Sequence, residues 1–215
     1  MNDFKLVLFD MDGTLLKDRG IFVIGKKLGF HDDLVRLIRN SSLEYYERSI
    51  EIGKILKGRN VNNFIDIFSK VPLQDNVEKV ISELKKKEVI TAIATDSYQF
   101  LADNLKKRLN IDYAFANNLI IDKSIITGEL KIHNVNLEKD YDGKNIYSIC
   151  KSRILEKLCQ NHNISIDESI AIGDGIVDIG MIKKAGLGIA FKASVNVQKH
   201  ADIITDDLKT ILKYI

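Results

Sequence analysis

The chain has 215 residues, of which 45% are hydrophobic and 29% charged; that supports a sizeable core and excludes wholesale disorder. No apolar run approaches the ~18 residues of a membrane span. Basic and acidic residues, 32 against 30, leave a formal net charge of +2, which argues against an obligate nucleic-acid binder.

The opening Met1-Asn2-Asp3-Phe4-Lys5 has no basic n-region followed by a long apolar stretch, so it does not read as a secretory signal. Lys5-Leu6-Val7-Leu8-Phe9 is a short apolar run that stops at Asp10, the pattern of a buried parallel strand. From Leu16 to Pro72 the reading changes to helices without a convincing strand: Ile21–Leu28, Asp33–Ile38, Glu44–Leu56 and Val61–Phe68. Pro72, the only proline, marks the return to the core. Asp75–Lys87 is an amphipathic helix with Val77, Val80, Ile81 and Leu84 on one stripe. A second strand, Val89–Ala94, leads into a helix over Tyr98–Leu109, and Phe115–Ile132 reads as a small β-hairpin elaboration. A third strand, Ser169–Ile172, precedes a helix near Ile176–Ala185. Short strands at Gly188–Phe191 and Asp202–Thr205 and a final helix, Leu208–Tyr214, complete the chain.

Strands alternating with helices predict an α/β fold with a Rossmann-like, mainly parallel sheet. The expected division is a catalytic core of residues 1–15 and 73–215 with a helical insertion of residues 16–72. Cys150 and Cys159 are placed nine residues apart in one helix. That is ~13 Å along its axis, beyond the ~7 Å that a disulfide spans. With no CxxC or paired histidines, a zinc site is also not expected. A reducing cytoplasm is the simplest location. His31, His133, His162 and His200 fall at no catalytic spacing.

Ligands of parallel sheets bind beyond the carboxyl ends of the strands, and here those ends carry carboxylates and hydroxyls. The first strand ends in Asp10-Met11-Asp12-Gly13-Thr14, the second in Thr95-Asp96-Ser97, and the third in Gly173-Asp174-Gly175 with Asp178 a turn later. One Asp after a strand is commonly a cap or turn residue; a set converging on one edge repels unless a cation or protons neutralise it. Oxygen-only ligands point to a hard cation, Mg²⁺ before Ca²⁺. In an Asp-x-Asp pair the first carboxylate can attack phosphorus, and the second can protonate the leaving oxygen and then activate water. Gly13 permits the tight turn, Thr14 positions phosphate oxygens or neighbouring carboxylates, and a threonine at the second strand end donates to phosphate. A lysine is needed to offset the charge.

Asp10-Met11-Asp12-Gly13-Thr14-Leu15 resembles the first signature of the haloacid dehalogenase superfamily, and Gly173-Asp174-Gly175-Ile176-Val177-Asp178 is similar to the fourth. Thr95 resembles the second-motif residue, and Lys151–Lys157 the third-motif helix of the phosphoserine phosphatase branch. The resemblance spans the whole core. It implies a Mg²⁺-dependent phosphatase of small phosphorylated metabolites, as monomer or homodimer, with an aspartyl-phosphate intermediate and no membrane or nucleic-acid partner. Asp10 is then nucleophile and metal ligand, and Asp12 general acid/base and, through its carbonyl, metal ligand. Thr95 binds phosphate, Lys151 balances charge, Asp174 ligates metal, and Asp178 ligates metal or supports its shell. Lys144 competes with Lys151 but falls in an Asp-Gly-Lys turn.

Residues 16–72 resemble the family's cap, and here the match weakens. Arg19 stands at the position that reads the substrate amine in phosphoserine phosphatases, and Ile52 at that of the carboxylate-reading arginine. Val177 replaces an asparagine, and Asp96-Ser97 replaces a glycine pair beside the phosphate. Catalytic groups match; serine-reading groups do not. Arg19 is read either as holding a second anionic group of the substrate or as a solvated charge beside Lys17 and Asp18. Tyr45 and Tyr46 are read as a substrate wall or as packing of the helical bundle. A phosphotransferase or mutase on the same scaffold, and a non-catalytic binding protein, are the alternatives.

Overall fold

The computed structural model describes residues 4–40 and 42–215; Met1–Asp3 of the expected non-signal start lie outside the described residues. Seven strands form one sheet in the order β4-β3-β2-β1-β5-β6-β7: β1 (Leu6–Phe9), β2 (Ile90–Tyr98), β3 (Tyr113–Asp122), β4 (Ile125–Lys131), β5 (Ser169–Gly173), β6 (Leu187–Phe191) and β7 (Ile203–Thr205). All pairings are parallel except β3 with β4. The α/β expectation holds. β1, β5 and β6 are buried along their whole length, which is why they read as unbroken apolar runs.

Four helices follow β1 and lie within residues 16–72: α1 (Gly20–Leu28), α2 (His31–Ile38), α3 (Tyr45–Ile55) and α4 (Val61–Phe68). Local chemistry sets their limits. Gly29 ends α1 at φ 77°, the Glu47 carboxylate accepts from the Glu44 amide at 2.8 Å, and the Asn60 side chain caps α4. The block leaves and rejoins the sheet through adjacent strands of chain: Lys17 N donates to Pro72 O and Gln74 N to Leu15 O, both at 2.9 Å.

The remaining helices are α5 (Val77–Lys86), α6 (Gln99–Leu109), α7 (Lys151–Asn161), α8 (Ile179–Lys184) and α9 (Val195–Gln198). Among the described residues no helix is long and apolar enough to cross a membrane. The expected hairpin is present as β3 and β4, with β3 also pairing with β2 so that β4 forms the sheet edge. Three details differ from the sequence reading. β2 runs on to Tyr98 through a register shift after Ala94. The final helix is a 3-10 helix, Leu208–Lys213. Cys150 precedes α7 while Cys159 lies within it, and both thiols are free.

Candidate active site

The carboxyl ends of β1, β2 and β5 meet the helical block around a cavity of about 310 Å³. Asp10 extends β1, its amide donating to Ile172 O at 2.9 Å. The chain then turns back on itself, with Leu15 N and Leu16 N donating to Met11 O at 3.0 and 2.9 Å. Gly13 takes φ +94°, and a Cβ there would meet Asp174 Oδ2 at 2.5 Å. Gln74, which is buried, donates to Gly13 O at 2.9 Å and accepts from Lys192 Nζ at 2.8 Å. The turn that carries Asp10 and Asp12 is therefore held from behind.

Asp10, Asp174 and Asp178 offer one oxygen each within 4.8 Å of one another. Lys151, the first residue of α7 and wholly buried, donates to Asp10 Oδ1 and, at 2.6 Å, to Asp178 Oδ1. The other oxygen of Asp178 accepts from the amides of Asp174 and Gly175 at 3.1 and 2.9 Å. Asp178 thus orients both the lysine and the loop after β5. Lys144 is exposed and pairs with Asp142 at 3.0 Å, in keeping with its place in a surface turn.

Burial, opposed by Lys151 and reinforced by repulsion from Asp178 and Asp174, pushes the Asp10 carboxyl well above the usual range. Burial and Asp178 also raise Asp174. Burial opposes the charge on Lys151, yet Asp10, Asp178 and Asp96 outweigh it and hold the ammonium protonated. Burial leads in both Asp10 and Asp174, and repulsion from neighbouring carboxylates adds to it. An all-oxygen donor set of this kind fits one hard divalent cation between Asp10 and Asp174. Asp12 is pushed up to about 7, chiefly by burial and against the Gly20 amide, which donates to its Oδ1 at 2.7 Å. That amide opens α1, so the helical block itself orients Asp12.

The remaining sequence-predicted residues divide between the cavity wall and the layer behind it. Asp96, Ser97 and Arg19 line the cavity. Thr14 does not; it is fully buried and donates to Asp174 Oδ1 at 3.3 Å, so of its two expected roles the structure favours support of a carboxylate over contact with phosphate. Thr95 is buried behind Ser97, whose amide donates to Thr95 Oγ1 at 3.2 Å. The Ser97 hydroxyl is buried without a hydrogen-bond partner among the described residues. Tyr45 lines the cavity and Tyr46 does not; Tyr46 N instead donates to Ile146 O at 3.0 Å.

Phe22, Arg48, Ser49, Tyr147 and Ser148 also form the wall and were not singled out in the sequence. Tyr147 packs against Tyr45 at 4.7 Å between centroids with the rings tilted by 42°, and Ser49 Oγ meets Ser148 Oγ at 3.2 Å. The segment before α7 carries no periodic pattern that could have flagged Tyr147 and Ser148.

A parallel sheet with a carboxylate-lysine cluster at its switch point and a helical block above it defines an enzyme class, and comparison supplies the family. The haloacid dehalogenase-like hydrolase family model matches residues 4–186, and the chain belongs to that family. Phosphoserine phosphatase of Methanocaldococcus jannaschii is 31% identical over 216 residues, covering 98% of this chain and 97% of that protein. The enzyme of the same name from Lactococcus lactis is 27% identical over 215 residues, covering 98% and 94%. Among solved structures, a phospho-aspartyl intermediate analogue of phosphoserine phosphatase superposes with TM-score 0.82 at 30% identity, covering 99% of each chain. A substrate-bound phosphoserine phosphatase complex gives 0.83 at 29% identity over the whole of both chains. The chain is a phosphatase of this phosphoserine phosphatase-like kind.

Proposed function

We propose that the chain hydrolyses small phosphomonoesters in two displacements, with residues 16–72 as a cap over residues 1–15 and 73–215. The observation that carries this reading is the buried ammonium of Lys151 shared by Asp10 and Asp178, with an Asp174 oxygen inside the same 4.8 Å cluster.

Asp10 attacks phosphorus; the P–O bond to the alcohol breaks, and Asp12 gives its proton to the leaving oxygen. Asp12, now ionised, takes a proton from water, whose oxygen attacks the aspartyl-phosphate and releases inorganic phosphate and Asp10. Ser97 offers a hydroxyl donor to the phosphoryl oxygens, Thr95 positions Ser97 from behind by accepting from its amide, and Lys151 offsets charge on the nucleophile. Asp10, Asp174 and the Asp12 carbonyl would hold Mg²⁺, with Asp178 fixing the loop that carries Asp174. The bound cation supplies neutralisation of phosphoryl charge. The cap excludes water from the intermediate.

The test is phosphate release from a panel of small monoesters with and without Mg²⁺, with Asp10→Asn in parallel. Metal-dependent release that vanishes in the variant is expected. Residual activity above a few per cent in pure Asp10→Asn protein overturns the assignment of the nucleophile.

A further inference from the structure

The two ends of the cavity differ in chemistry. Every carboxylate of its lining, Asp10, Asp12, Asp96, Asp174 and Asp178, belongs to the strand-end side. Asp96 belongs to the phosphoryl end as well: its charge acts on Asp12 and Lys151. Residues 19–52 contribute no carboxylate to the lining at all.

The cap side instead offers apolar and aromatic surface from Phe22, Ile38, Tyr45 and Ile52, with Tyr147 opposite. Two arginines accompany that surface. Arg48 is committed to the fold: it donates to Leu43 O and Ile38 O at 3.0 and 3.2 Å and covers the Tyr45 ring at 4.7 Å. Arg19 is exposed and has no ion pair or hydrogen bond to protein among the described residues, while its charge reaches Asp12 and Asp174 where the cap side meets the phosphoryl end. Its guanidinium is a free fork for a carboxylate or phosphate. The cavity holds about ten times the ~30 Å³ share of one liquid water, room for a ring beyond the phosphoryl group.

Given the phosphomonoesterase reading, we infer that the leaving-group half of this site selects an alcohol with an aromatic or apolar body ending in an anionic group held by Arg19. An ammonium finds no counter-charge there. It would sit against apolar walls beside an unpaired guanidinium, at a desolvation cost nothing repays. Arg19 and the aromatic wall are therefore specificity-determining, and an amino-acid ester such as phosphoserine is a poor substrate.

A factorial set of esters separates the two features. Phenyl phosphate has the ring alone, 2-phosphoglycolate the carboxylate alone, 4-carboxyphenyl phosphate both, and O-phosphoserine a carboxylate with an ammonium and no ring. The expected order in kcat/KM places 4-carboxyphenyl phosphate first, at least tenfold above phenyl phosphate and 2-phosphoglycolate, with O-phosphoserine last. Arg19→Ala should bring the ratio of 4-carboxyphenyl to phenyl phosphate towards one, Arg19→Lys should keep part of it, and Arg19→Glu should invert it. The same order of affinities is expected by calorimetry on the Asp10→Asn protein with Mg²⁺, which reads the pocket independently of turnover. Failure of all four esters to turn over removes the catalytic reading, and the calorimetric order then decides the pocket by itself. O-phosphoserine ranking first by either measure, or Arg19→Ala weakening all four esters equally, overturns the inference.

Discussion

Lys151 Nζ donates to Asp178 Oδ1 at 2.6 Å, with 0% of the lysine side chain and 1% of the aspartate exposed. A buried pair like this is stabilising only while both partners are present; removing one strands the other in a low-dielectric site. Here the lysine serves two carboxylates, since it also donates to Asp10.

Lys151→Met should therefore destabilise the fold by about 3–5 kcal/mol and lower turnover by about 10²–10³-fold. Asp10, already pushed upward by burial and now without the ammonium that opposes that shift, would take up a proton, so the stability deficit should shrink as pH falls. Urea unfolding at several pH values reads this directly. A deficit that is constant with pH, or turnover within twofold of the wild type, would contradict the shared-cation account.

On the proposed mechanism, Asp12 should govern the pH profile. With its carboxyl pushed up to about 7 by burial, the protonated fraction needed to expel the alcohol is lost as pH rises through that value. Formation of the phosphoenzyme, measured in a single turnover, should fall about tenfold per pH unit on the alkaline side. Its hydrolysis requires the ionised form and should fall on the acid side, giving a bell for steady-state turnover. Gly20 N–H lowers this pKa by donating to the carboxylate, so a substitution that unseats α1 should move the alkaline limb to higher pH. An alkaline limb unchanged in Asp12→Asn would assign the proton to another group.

The parts of this site that were legible in the sequence are those fixed by strand ends. Asp10, Thr95 and Asp174 each follow a buried apolar run, and a parallel sheet leaves such residues at one edge. The four helices of residues 16–72 were legible from their apolar spacing, with Gly29 after α1 and Asn60 before α4 as stop and start signals. The roles of Gln74, Asn117, Tyr147 and Ser148 were not. They depend on which loops meet across the fold, and such long-range contacts leave no local period. Thr14 illustrates the same limit at short range: its place in the first motif is plain in the sequence, yet only the folded loop decides that its hydroxyl turns to Asp174. The extension of β2 to Tyr98 was obscured because Asp96 and Ser97 interrupt the apolar run where the register shifts.

Asn117 ties these loops together. Wholly buried, it donates to Asp96 O at 2.7 Å and Ser148 Oγ at 2.8 Å, and accepts from His133 N at 2.9 Å. Ser148 in turn meets Ser49 of the helical block. Asn117→Ala leaves three polar groups short of a partner and should cost about 2–3 kcal/mol. It should also raise KM more than it lowers kcat, because the Asp96-Ser97 wall and the Ser49 contact loosen while the Lys151 cluster stays intact. Equal loss in both constants would mean that the network supports the chemistry rather than the pocket.

Gly13 offers a test of cation binding that separates backbone strain from displacement of a ligand. At φ +94° any side chain is strained, by roughly 1–2 kcal/mol for an L-residue. In addition, an alanine Cβ would lie 2.5 Å from Asp174 Oδ2, so the carboxylate must move. Gly29 shares the conformation, at φ +77°, but a Cβ there has nothing within 4 Å. Both alanine variants should lose stability on thermal unfolding, Gly13→Ala by at least as much as Gly29→Ala because it also displaces a carboxylate. Only Gly13→Ala should require more Mg²⁺, with a half-saturating concentration raised about tenfold, equivalent to ~1.4 kcal/mol. Titration of turnover against Mg²⁺ for the two variants and the wild type measures the difference. If Gly13→Ala and Gly29→Ala titrate alike, Asp174 does not hold the cation in the position its neighbours impose.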